Sequence, residues 1–190
     1  MCQIPELAVE VSLQPWRRYQ VDAVIIFCDI LVIPQAMGMH IEMIPGKGPV
    51  FTSPLRSTKD LKNLNFTPDI EDTLGYVMDA LNLARKEING AVPLIGFIGG
   101  PFTLMTYMVE GGASKTKALV KTWLYRTPVE SHQLLQALTD VCVQFLIAQA
   151  AAGAQLLQVF ETVGAEVLTQ KHYYEFAYPY LAQVNSFYLI

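Results

Sequence analysis

Asp29 ends the apolar run Val24-Ile25-Ile26-Phe27-Cys28, a single carboxylate after residues that suit a buried strand. A charge is costly where it can neither stay wet nor find a partner. Parallel α/β sheets and barrels present their ligands at the carboxyl ends of their strands, which makes Asp29 a ligand-facing candidate. The same side chain could instead cap a following turn or helix, and the stretch alone leaves both readings open. A second candidate lies in Gly96-Phe97-Ile98-Gly99-Gly100-Pro101-Phe102-Thr103-Leu104, a glycine-rich turn opening a helix through Thr106, Tyr107 and Met108. Glycines let backbone approach a ligand, and helix N-termini favour anions. The spacing is not that of a dinucleotide or phosphate loop, and tight strand-to-helix packing explains the glycines equally well. Tyr107, about one turn into that helix, is placed for its hydroxyl to reach the pocket that Asp29 would face; otherwise it is a core tyrosine. A third apolar run closes on Phe160-Glu161-Thr162. Three strand ends, each carrying a polar group, favour a site.

Other chemistries find less support. His40 is expected in a hairpin, His132 on an exposed helix face and His172 on the last helix. None has a Cys or carboxylate at metal-ligand spacing, so no metal is expected. No Ser/His/Asp or Cys/His arrangement follows from residue order.

The elements that must hold these groups can be read from periodicity. Ala23 to Cys28, Val92 to Ile98 and Gln155 to Phe160 are strand-like runs too far apart for hairpins. Between them, residues 70 to 88 carry Ile70, Leu74, Val77, Met78, Leu81 and Ala84 at helical spacing and end at Asn89-Gly90, a common helix terminus. Residues 129 to 152 follow Pro128 with an apolar stripe of Leu134, Leu135, Leu138, Val141, Cys142 and Phe145. Strand, helix, strand, helix implies parallel crossovers. His40 to Phe51 places two apolar pairs around Pro45-Gly46-Lys47-Gly48, which predicts a small inserted hairpin with a solvated lysine at its tip.

The 190 residues, 52% hydrophobic, suffice for one sizeable domain, and residues 1–190 read as a single, incomplete one. A net charge of -4 with scattered cations offers nothing for nucleic acid or an anionic membrane. Cys2, Cys28 and Cys142, odd in number and far apart, fit a reducing, cytoplasmic setting. The N-terminus resembles neither a secretory signal nor a transit peptide. Val141 to Phe160 runs without a formal charge, but Gln144, Gln149, Gln155, Gln158 and Gly153 weigh against a membrane span.

The motifs resemble the uroporphyrinogen decarboxylase family. The likeness is carried by Met-Cys-Gln-x-Pro-Glu-Leu-Ala at 1 to 8, Leu-Gln-Pro at 13 to 15, Phe-Cys-Asp-Ile-Leu-Val at 27 to 32 and Pro-Gly-Lys-Gly-Pro at 45 to 49. It continues in Gly-Phe-x-Gly-x-Pro-x-Thr-Leu-Met-Thr-Tyr-Met-Val-Glu-Gly-Gly at 96 to 112, Trp-Leu-Tyr at 123 to 125 and Gly-Ala-Gln-x-Leu-Gln-x-Phe-Glu at 153 to 161. The resemblance implies a partial (β/α)8 TIM barrel, an α/β fold with about three parallel strands, crossover helices and the inserted hairpin. It also implies that an Arg-Gln-Ala-Gly-Arg segment precedes Met1 and that further strands, one with a site histidine, follow Ile190. The activity implied is decarboxylation of the four acetate side chains of uroporphyrinogen to give coproporphyrinogen, without metal or organic cofactor, by a homodimer.

By the same resemblance, Asp29 accepts hydrogen bonds from pyrrole N–H groups and Tyr107 contacts a substrate acid group, the two forming the catalytic pair. Phe97 and Phe160 line the pocket, and Thr162 stands where related sequences carry serine. Val163-Gly164-Ala165-Glu166 departs from the family's His-Ala-Gly continuation. Two alternatives accompany this reading. One is a non-catalytic fragment that at most associates with the intact enzyme. The other is the related barrel methyltransferases that activate thiols with zinc, for which these residues offer no His and Cys set.

Overall fold

A computed structural model describes residues 3–46 and 48–186. In chain order the elements are α1 (Pro5–Tyr19), β1 (Val24–Ile25), α2 (Val32–Ala36), β2 (Ile41–Ile44), β3 (Gly48–Phe51), a 3-10 turn (Thr58–Asn63) and α3 (Ile70–Ile88). They continue as β4 (Leu94–Gly99), α4 (Pro101–Glu110), α5 (Ala118–Arg126), α6 (Pro128–Ala151), β5 (Leu156–Phe160), α7 (Thr162–Val167), α8 (Gln170–Phe176) and α9 (Tyr178–Ser186). The strands form a three-stranded sheet in the order β1-β4-β5 and a separate pair β2-β3. Contacts sort the chain into two compact units: residues 1–32, 69–98 and 144–159, then 33–68, 99–143 and 160–190.

The first unit holds the parallel sheet and the helices α1 and α3. Asp69 caps α3 by accepting the Asp72 N–H at 3.0 Å, Glu71 and Asp72 sit in its first turn, and Arg85 and Lys86 in its last, an order that complements the helix dipole. Ile70, Leu74, Val77, Leu81, Ala84 and Ile88 form its buried stripe, and Asn89 ends it in the left-handed region, as the spacing predicts. Pro5 opens α1, and Arg17 joins it to α3 through Glu87 at 2.8 Å.

The first strand is shorter than expected. Val24 and Ile25 pair in parallel with Leu94 and Ile95, and the Ile26 N–H still reaches the Ile95 carbonyl at 3.4 Å. Alternation along β4 makes Phe97 the next residue facing that edge. Its N–H donates to Gln149 Oε1 at 2.9 Å, and its carbonyl accepts from Gln149 Nε2 at 3.1 Å. A buried side-chain amide thus bonds both main-chain polar groups of Phe97. Gly96 makes the approach possible, because a Cβ there would stand 2.5 Å from Gln149 Oε1.

The second unit contains the antiparallel hairpin, in which Ile41 pairs with Phe51 and Ile44 with Gly48, as predicted. Lys47, the expected tip, lies outside the described residues. His40 joins the hairpin through its carbonyl, which accepts the Thr52 N–H at 3.1 Å. The core of this unit gathers Phe102, Leu104, Met105, Met108, Val120, Leu134, Leu135, Leu138 and Phe176, all essentially solvent-free. Gly111 ends α4 in the left-handed region, and Arg56 supplies the cation for its last carbonyls, donating to Val109 O at 2.6 Å. The turn Thr58–Asn63, closed by a Ser57/Asp60 capping box, was not expected.

Two histidine placements need correction. His132 is half-buried rather than on an exposed face, with Nδ1 2.7 Å from the Tyr180 hydroxyl and its ring stacked on Phe176 at 4.6 Å. The helix face looks polar in sequence because the aromatic groups that cover it come from α8 and α9. His172 lies on α8, which another helix follows. Helix α6 is long and apolar enough to cross a bilayer, but 61% of its most apolar window is buried inside the fold.

Candidate functional site

In the first unit, Asp29 stands beyond the end of β1, in the turn leading to α2. Its Oδ1 accepts the Leu31 N–H at 2.9 Å, and its carbonyl accepts the Val32 N–H at 3.1 Å. The capping reading is therefore realised, but it uses one carboxylate oxygen only. The residue is half-buried, and among the described residues no Lys, Arg or His lies within ion-pair distance of it. The result is an anion whose orientation is set by backbone and whose Oδ2 carries no hydrogen bond from the described residues.

Burial alternates from Val24 to Cys28, with Val24, Ile26 and Cys28 covered and Ile25 and Phe27 exposed. Period two puts Phe27 on the face opposite the core. Phe27 is 58% exposed, and its ring lies 6.2 Å from that of Phe97, which is itself buried. Phe97 is thus placed at the carboxyl end of β4 with its backbone fixed by Gln149. Phe27 was not singled out in the sequence, although the alternation Ile25, Phe27, Asp29 was available to find it.

The other three candidates belong to the second unit. Tyr107 is the seventh residue of α4, which begins at Pro101, so it lies about 9 Å along the helix axis from the first residue, nearer two turns than one. It is half-buried. Phe160 and Thr162 flank the end of β5 and are both exposed, and the Phe160 carbonyl accepts the Gly100 N–H at 2.9 Å. Between them, Glu161 caps α7 and turns into the unit. Its Oε1 accepts the Thr103 hydroxyl at 2.6 Å and the Gly164 N–H at 3.3 Å, and its Oε2 accepts the Phe102 and Thr103 N–H groups at 3.1 and 3.2 Å. The anion-favouring N-terminus of α4 is therefore filled by a carboxylate of the chain itself. Burial pushes the Glu161 carboxyl above its usual range, outweighing the hydrogen bonds from Thr103, Gly164 and Phe102 that pull it down.

Cys28 and Cys142 are buried thiols outside any disulfide; Cys2 lies outside the described residues. Burial, and after it the negative charge of Glu161, pushes the Cys142 thiol above its ordinary value. Among the described residues no group of three His, Cys, Asp or Glu is placed to hold a metal ion. What the strand ends offer is a fixed carboxylate with aromatic neighbours in one unit, and a tyrosine, a phenylalanine and a hydroxyl in the other.

The departure at residues 163–166 is accommodated in α7. Val163 and Gly164 are buried there, and Glu166 pairs with Lys117 Nζ at 3.0 Å.

The sequence profile of the uroporphyrinogen decarboxylase (URO-D) family matches residues 1–188. Among individual proteins, the chain is 51% identical to uroporphyrinogen decarboxylase of Dictyostelium discoideum over 186 residues, covering 98% of this chain and 51% of that protein. It is 52% identical to uroporphyrinogen decarboxylase of Homo sapiens over 183 residues, covering 96% of this chain and 50% of that protein. The chain thus spans about half the length of these relatives. In structure it is similar to a methyltransferase from Methanosarcina mazei, with a TM-score of 0.80 at 22% identity, covering 97% of this chain and 54% of that one. That likeness concerns the fold, and it agrees with an α/β chain forming part of a barrel.

Proposed function

This chain belongs to the uroporphyrinogen decarboxylase family, and on that premise we propose that it takes part in removing the four acetate carboxyl groups of uroporphyrinogen to give coproporphyrinogen. Asp29 accepts hydrogen bonds from the pyrrole N–H groups. Protonation of a pyrrole carbon makes the ring a cationic electron sink; the electrons of the breaking carbon–carboxyl bond flow into it as carbon dioxide leaves, and protonation of the resulting exocyclic methylene with loss of the ring-carbon proton gives the methyl-substituted pyrrole. A carboxylate held beside that ring stabilises the transient positive charge, the more strongly the drier the pocket. Tyr107 contacts a substrate acid group, Phe97 and Phe160 flank the macrocycle, and Thr162 offers a hydroxyl at the strand end. The reading needs no metal or organic cofactor, and it places the chain in the cytoplasm, in a homodimer when complete.

The observation that carries this reading is the state of Asp29: half-buried, held by the Leu31 N–H, and without a cation among the described residues. A second reading is favoured by the half-length match and by the apolar surface of β5, where Leu156 is 50% and Phe160 41% exposed. In it the chain is non-catalytic and associates with the intact enzyme. Incubating the purified chain with uroporphyrinogen without oxygen separates the two. Products with fewer carboxyl groups support the catalytic reading, and unchanged substrate supports the second.

A further inference from the structure

We propose that Glu161 is a positioning residue whose carboxylate, clamped to Thr103, fixes how Phe160 and Thr162 are presented and ties them to the helix bearing Tyr107. The inference rests on the tetrapyrrole reading above. A carboxylate has about four lone-pair sites, and Glu161 fills four, with the Thr103 hydroxyl, the Thr103 and Phe102 N–H groups and the Gly164 N–H. It has no acceptor left for a ligand, so it acts through its neighbours.

Those neighbours are held from both sides. The Phe160 carbonyl takes the Gly100 N–H at 2.9 Å, and the Val163 N–H donates to Thr103 Oγ1 at 3.3 Å. The segment 160–164 is thereby stitched to 100–103, with Thr162 exposed in its middle. Closeness is part of the device. A Cβ on Gly100 would collide with the Glu161 carboxylate and lie 2.9 Å from its Cβ. A negative charge at the start of α4 also complements that helix's dipole, which favours one orientation of the clamp.

The test is anaerobic titration of the chain with uroporphyrinogen, read by tryptophan fluorescence, alongside urea unfolding. Glu161→Gln and Thr103→Val are each expected to weaken binding roughly tenfold or more, the scale expected when binding groups are misplaced. Thr103→Ser, which keeps the hydroxyl, restores most of the affinity. In a Thr162→Ala background, Glu161→Gln adds little further loss of binding while its effect on unfolding persists. A merely structural role would make the two binding losses multiply. That outcome, or folded Glu161→Gln with unchanged affinity, overturns the inference while leaving the tetrapyrrole reading standing, and a silent Thr162→Ala does the same. If Glu161→Gln does not fold, the Thr103→Val and Thr103→Ser pair decides. Failure of the unaltered chain to bind uroporphyrinogen removes the functional reading and this inference together.

Discussion

At the residue scale, two carboxylates differ in what their oxygens hold. Asp29 spends one oxygen on a turn and has no bond to the other among the described residues, whereas Glu161 spends both on backbone and hydroxyl donors. The environment of Glu161 predicts a response to pH. The folded-state carboxyl of Glu161 is raised, chiefly by burial, so the folded chain holds its proton more tightly than the unfolded chain does. Its contribution to stability is then fully present below the unfolded value of about 4.3 and is lost as pH rises through the folded value. Urea unfolding of the unaltered chain and of Glu161→Gln should show it: the stability of the unaltered chain relative to the variant falls as pH rises across that window. A constant difference would contradict it.

At the scale of elements, Gln149 and Gly96 form a unit that a strand and a helix share. Replacing Gln149 by Leu removes its hydrogen bonds to the Phe97 N–H and C=O, each worth about 0.5–1.5 kcal/mol. Gly96→Ala, which drives a methyl against the same amide, should destabilise by about 1–3 kcal/mol. Once the amide is gone, the glycine constraint relaxes, so the double variant should be less destabilised than the sum of the singles. Chemical denaturation measures all three. This pair also shows what the sequence conveys and what it withholds. Helices α3 and α6 and the hairpin were legible because apolar spacing, a Pro at a helix start, a terminal Asn and a Pro-Gly turn are local signals. The Gln149 contact was not, since the amide and the Phe97 backbone it bonds lie 52 residues apart in sequence. Asp29 was legible as a strand-end anion; the fourfold bonding of Glu161 depends on Thr103 and Gly164, and nothing in the Phe160-Glu161-Thr162 tripeptide announces it. His132 was misjudged for the same reason, because its partners Phe176 and Tyr180 arrive from later helices.

At the scale of the whole molecule, the chain presents part of a family fold in about half the length of its relatives. Strand β5 is flanked in the sheet by β4, and its Leu156 and Phe160 side chains are exposed. Strand edges with apolar side chains invite pairing with another chain. Sedimentation velocity of the isolated chain should therefore show concentration-dependent association, and Leu156→Lys should reduce it; a monomer at every concentration would contradict the expectation.

The most direct measurement compares the unaltered chain with Asp29→Asn after anaerobic incubation with uroporphyrinogen, separating the oxidised products by carboxyl number. The account predicts seven- to four-carboxyl products from the unaltered chain, a rate about 100- to 1000-fold lower for Asp29→Asn, as when a group stabilising transition-state charge is removed, and matching unfolding curves for both. Equal turnover by a folded Asp29→Asn variant, or only eight-carboxyl porphyrin from the unaltered chain, would contradict it.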